Sequence, residues 1–234
     1  MSTASIPNTA AGFQTTSWTL IASAKENRMD FDRLLRLYWN PIYGYIRRRG
    51  YSRSEADDLT QQFIVSVVME RKLIEKADAT LGKFRTFVLT CLKHFLVDES
   101  RRPRTPTLMH DDEFERDGQI DPEDSFHLEW ATSVLSIAMQ RLEEQCRRQG
   151  MTRQWRVFES RTLGPIVHGH ERAAIKTLMR EFSIEDRQIV DSMGQTMQNK
   201  ARRAIAEVIT ETVGPNDDFD DEMRMFKRLL LGRP

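Results

Sequence analysis

Cysteine is nearly absent from this sequence. Cys91 and Cys146 are the two copies in 234 residues, they lie far apart, and neither belongs to a CxxC pair. That leaves no disulfide framework, and buried free thiols of a reducing compartment are expected. Long apolar runs are missing too, and none approaches the length needed to cross a bilayer. The opening MSTASIPNTAAGF has neither a basic n-region nor an apolar h-region, so no signal peptide is expected. Net charge is zero, with 35 Lys and Arg against 35 Asp and Glu. That balance argues against a uniformly basic coat for nucleic acid. Catalytic signatures are lacking as well: no Walker loop, no G-x-S-x-G and no H-E-x-x-H. His168 and His170 flank Gly169 without a carboxylate or cysteine at ligand spacing, and His110 beside Asp111 and Asp112 fares no better. The expectation is a cytoplasmic protein that is not an enzyme, with no metal and no cofactor.

Period-two alternation is absent, whereas helical periodicity is everywhere, so the predicted fold is all-α. Residues 1–14 are small and polar and read as disordered. Thr15 to Lys25 predicts a first short helix. Phe31, Leu34, Leu35, Tyr38, Ile42, Tyr45 and Ile46 form the next stripe, with Pro41 expected to kink or restart the helix and Gly50 to stop it. Ser52 or Ser54 caps a third helix, with Glu55 in its first turn. Ala56, Leu59, Phe63, Val67 and Ile74 mark its buried side, and Asp57, Asp58, Gln61 and Gln62 its exposed side.

Charge is segregated even though its sum vanishes. After a polar loop at 77–82, LGKFRTFVLTCLKHFLVDESRRPR combines an apolar stripe (Phe84, Phe87, Val88, Cys91, Leu92, Phe95, Leu96) with a basic side. Lys83, Lys93 and Arg101 lie mostly on that side, with Arg85 and His94 near its edges. Aromatics beside cations suit base stacking and phosphate neutralisation. Residues 105–125 are acidic, contain Pro and Gly and have no apolar period, so they read as a linker. Beyond them, helices are predicted at 126–148, 155–163, 171–182 and 185–213. An acidic turn at 216–221 and a short amphipathic helix at 223–231 complete the chain. The expected architecture is therefore two helical domains, 15–104 and 126–213, joined by the acidic linker and followed by a tail at 214–234.

Read together, these segments resemble a bacterial RNA polymerase sigma factor of the extracytoplasmic-function type. Tyr38 to Tyr51, YWNPIYGYIRRRGY, resembles the first helix of that family's promoter-melting domain. Glu55 to Phe63, EADDLTQQF, resembles its D-x-x-Q-E-x-F helix, with Gln62 where the family usually has Glu. Gly82 to Phe87 and Leu92 to Leu96 resemble its promoter-reading helix, and 130–142 and 207–212 resemble the ends of its second DNA-binding domain.

The resemblance implies that Asp57, Asp58, Gln61, Gln62 and Phe63 dock on a coiled coil of core RNA polymerase. It implies that Asp78, Lys83, Arg85, Lys93, His94, Arg101 and Arg102 contact minus-ten promoter DNA, while Phe84, Phe87 and Phe95 belong to the core. The linker would thread towards the polymerase active-site channel, or its carboxylates would mask the basic helix in the free protein. A helix-turn-helix from Ala173 onward would read minus-thirty-five DNA through Arg187, Gln188, Ser192, Gln195, Asn199, Lys200, Arg202 and Arg203. Asp186 and Asp191 in that segment repel phosphate. A second expectation therefore stays open: a sigma-like protein that docks on polymerase but has lost selective upstream recognition. An anti-sigma or other regulatory partner is compatible with either, and no membrane is expected.

Overall fold

A computed structural model describes residues 19–24, 26–66, 83–101, 120–213 and 219–232. All regular structure among them is helical. The helices are α1 (Thr19–Ala24), α2 (Arg28–Arg48), α3 (Arg53–Phe63), α4 (Phe84–Ser100) and α5 (Pro122–Arg148). They continue with α6 (Thr152–Phe158), α7 (Gly164–His168), α8 (Ile175–Glu181), α9 (Arg187–Thr210) and α10 (Phe219–Leu231). A π-helical turn, Glu159–Leu163, links α6 to α7. Val67, Ile74, Asp78 and the loop at 77–82 lie outside the described residues, as do Arg102 and most of the expected linker.

The two longest contacts of the fold run along α2 and α5. Leu34, Leu37, Tyr38, Ile42, Tyr45 and Ile46 are buried on α2, the residues its 3.6-residue period puts on one side. Pro41 does not interrupt this helix, contrary to the expected restart. It is itself buried, and the apolar contacts on both sides of it offset the lost backbone hydrogen bond. α5 supplies the opposing stripe, Phe126, Trp130, Val134, Ala138 and Leu142. Gly44 lets the two axes approach: a Cβ there would stand 3.0 Å from Cγ of Glu129 and 3.5 Å from the Ser125 hydroxyl.

One apolar core therefore runs from Leu20 to Phe226, through residues on both sides of the expected linker. α9 packs along α5, and α10 lies against both. The helix expected from Phe126 begins earlier, at Pro122, because Asp121 caps it by accepting from the Glu123 N–H at 2.7 Å and proline is well suited to the first position. A separate small cluster, Val157, Leu178 and Val190, holds α6, α8 and the start of α9 together, with Met179, Phe182 and Ile184 around it. Cys146 is buried, its Sγ 3.9 Å from Sδ of Met197, and Cys91 is half-buried.

Candidate functional site

The start of α3 is built locally. The Ser52 hydroxyl accepts from the Glu55 N–H at 3.2 Å, and the Glu55 carboxylate accepts from the Ser52 N–H at 2.9 Å. This reciprocal capping box is worth roughly 1 kcal/mol. Ala56, Leu59, Thr60 and Phe63 are buried beneath the helix, and Phe63 meets the Phe95 ring edge-on at 5.5 Å. Asp57, Asp58, Gln61 and Gln62 are all exposed on the other side. Their side chains have no partner among the described residues. Phe63 departs from the docking set: fully buried, it anchors the helix and offers nothing to a partner.

Glu55 occupies the first turn, where a carboxylate best suits the positive end of the dipole. Asp57 and Asp58 lie one turn further in, where that effect has faded. Helix stability therefore does not account for them.

The basic side of α4 is smaller in space than on paper. His94 and Arg101 are exposed. Lys93 pairs with Glu123 across to α5, an exposed contact that contributes little to stability. Glu123, which lies within the expected linker 105–125, reaches Lys93 from the first turn of α5.

Arg85, expected among the DNA-contacting residues, is not on the surface of this structure. Its side chain is only 5% exposed, and it enters the core beside Trp130, 4.5 Å above the indole. Its Nη2 donates to Glu222 at 3.0 Å, and its Nη1 lies 3.2 Å from Nδ1 of His127. Lys83 pairs with the same Glu222 oxygen at 2.7 Å. The sequence places Arg85 at the edge of the basic side, but the approach of α5 and α10 closes that edge.

A guanidinium only donates, so Nδ1 of His127 accepts and the neutral ring carries its proton on Nε2. Burial, helped by the Arg85 charge, pushes the His127 pKa down from its ordinary 6.5 to about 4. The unfolded chain takes up this proton as pH falls below about 6.5, and the folded chain does so only near 4. The contribution of His127 to stability is therefore complete above 6.5 and is lost as pH falls from there to about 4. Urea unfolding across that range should show a downward slope that His127→Asn, which keeps an acceptor but cannot be charged, makes shallower. Equal slopes in the two proteins would contradict it. Burial likewise raises the Tyr38 phenol, against the pull of Arg85. The Tyr38 hydroxyl and Trp130 Nε1 are neighbours, and neither makes a well-formed hydrogen bond.

Around the second cluster, α8 ends in a turn where Ser183 takes a left-handed conformation at φ 54°, and α9 begins after Asp186. The helix expected from 171 starts only at Ile175. Asp186 caps α9 by accepting from the Gln188 N–H at 2.7 Å. Arg187 pairs with Asp191 one turn on at 3.4 Å, so the cation expected to meet DNA is held by its own helix. Gln188, Ser192, Gln195, Asn199, Arg202 and Arg203 are exposed, and Lys200 reaches Gln149 at 3.5 Å. Gln195 and Arg202 both bond Asn199.

His168 and His170 are exposed, with rings 5.2 Å apart. No three metal-ligating groups converge among the described residues. A surface groove of about 580 Å³ runs past Arg141, Cys146 and Trp155. Its cations are satisfied: Arg141 grips Glu211 with two hydrogen bonds at 2.5 and 3.0 Å, and Arg147 and Arg148 share Glu144.

Glu222, His127 and Trp130 were not foreseen as a polar centre. Glu222 carries a signal in the sequence: it falls on the stripe of Phe219, Met223, Phe226 and Leu230, so a carboxylate stands where an apolar residue belongs. No family model matches this chain, and neither a curated protein nor a solved structure does.

Proposed function

We propose that this chain is a sigma-type initiation subunit that docks on core RNA polymerase through α3 and opens promoter DNA with α4 and the segment before it. The observation that carries this reading is the α3 surface. Two carboxylates and two amides stand side by side without side-chain partners among the described residues, on a helix locked at its cap and anchored from below. Such a surface is suited to a polar, charge-steered interface. His94, Arg101 and Lys93 on the outer side of α4 would hold the phosphates of the melted strand.

The α8–turn–α9 unit would act as a helix-turn-helix on upstream DNA. One observation favours the second reading there, docking without selective upstream recognition. The leading turn of α9 is capped by Asp186, and its one cation, Arg187, stands beside Asp191 in an exposed pair. The two carboxylates lower the positive potential this turn offers to a phosphate at the major-groove edge.

Run-off transcription with purified core polymerase, with and without this protein, on a pool of upstream genomic fragments tests both. Defined start sites that appear only with the protein are the expected result. Core binding without transcripts would favour the docking-only form. Absence of core binding would sink both readings.

A further inference from the structure

The first turn of α4 is an anion site that the chain fills with its own carboxylate. Lys83 is the N-cap of this 17-residue helix, and its side chain makes no capping bond but pairs with Glu222. Lys83 and Arg85 converge on that end, and one carboxylate serves both through a single oxygen, Oε1 of Glu222. Two cations thus face one anion. Nε of Arg85 is buried and has no hydrogen-bond partner among the described residues. The guanidinium fork, which matches a phosphate or carboxylate with two parallel bonds, donates to this carboxylate through Nη2 alone. Trp130 lies flat beneath it. The site is complementary to a more highly charged, better-shaped anion than the one it holds.

Glu222 arrives from α10, a helix held mainly by Phe226 and by half-buried Phe219, Met223, Leu229 and Leu230. Its other side carries Asp220, Asp221, Lys227 and Arg228 in solvent. A helix docked through one apolar face and a buried ion pair, whose desolvation offsets much of its attraction, parts from the core at less cost than one buried on all sides.

We propose that α10 is an internal competitor for nucleic-acid phosphate: Glu222 occupies the site at the start of α4 that a DNA backbone phosphate takes when α10 moves aside. The proposal rests on the initiation reading and deepens it, because it makes the free protein a closed form whose strongest phosphate site opens only when DNA displaces the carboxylate.

The test uses the full chain and a fluorescein-labelled thymidine oligonucleotide, read by anisotropy over a salt series. Glu222→Gln keeps the shape and removes the competing charge. It should bind at least about tenfold more tightly, with the log–log salt slope steeper by about 0.7 for each phosphate gained. Arg85→Gln combined with Glu222→Gln should lose that gain. Unchanged affinity and slope in a folded Glu222→Gln protein would overturn the proposal. So would a gain that survives in the double variant, since it would then come from a loosened fold.

Should Glu222→Gln fail to fold, hydrogen exchange on the unmodified chain decides. Saturating oligonucleotide should speed exchange across 219–232 and slow it across 84–92, and unchanged exchange in 219–232 overturns the proposal. Run-off transcription separates the two levels. Normal transcripts with no effect of Glu222→Gln on affinity remove the competition and leave the initiation function standing. Loss of core binding by every form removes the initiation function itself.

Discussion

Trp130→Ala lowers the free energy of unfolding by about 3–5 kcal/mol, the range for truncating a buried tryptophan. The indole is 1% exposed and lies between α2 and α5, where the two longest apolar stripes meet. The substitution leaves a cavity where α2 and α5 already run close together, with little room for even a Cβ at Gly44 beside Glu129. It also strips Arg85 of the ring beneath it, a contact worth a further 0.5–2 kcal/mol or so when desolvated. Against a typical stability of about 5–15 kcal/mol, that is enough to leave the protein marginal. Urea unfolding followed by far-UV circular dichroism measures the loss. A change below about 1 kcal/mol would mean that the core is not centred on this residue.

Reversing both α3 carboxylates, Asp57→Arg with Asp58→Arg, should act on the opposite property. Both side chains are exposed and lie beyond the first helical turn, so stability should fall by no more than about 1 kcal/mol. Core polymerase binding, in contrast, should weaken by about a hundredfold or more, because two attractive charges at a charge-steered interface become repulsive ones. Surface-immobilised core polymerase and a titration of each protein provide the comparison. Gln62→Glu on the same surface should tighten binding by restoring a carboxylate of similar length. Affinity within about threefold of the parent for the reversed protein would remove α3 from the docking role, since a true interface charge reversal exceeds that.

The parts of this fold that depend on neighbours in sequence were legible. Ser52 as one of two candidate caps, Ala56, Leu59 and Phe63 on the buried side of α3, and most of the apolar stripe of α4 follow from spacing and residue type and stand in the structure, with Phe87 and Cys91 only half-buried. What depends on distant neighbours was not. Periodicity shows that Phe126, Trp130 and Val134 share one side of a helix, but not that the side of α2 bearing Tyr38 and Ile42 receives them. For the same reason Arg85 reads as solvent-facing, although α5 and α10 enclose it with Glu222 and Trp130. The candidate site divides along the same line. The exposed patch on α3 is a local property and was foreseen, whereas the closed anion site joins residues 137 positions apart. Of the kink or restart expected at Pro41 the restart does not occur, because the rule for an isolated helix omits the packing that holds α2 together on either side of it.

The apolar core that α2 and α5 share also bears on how this chain can be recombined. Each half contributes one wall of a single interior, so neither can be grafted onto a foreign partner without a matching wall. A chimaera that keeps residues 19–101 and borrows its remainder would present Tyr38, Ile42 and Ile46 to a surface never shaped for them. Such a hybrid would stick to its own copies sooner than work, and substitutions on the two walls must arise in compensating pairs. New surface properties are therefore easier to reach by exchanging side chains on the outer turns of α4 and α9 than by exchanging halves.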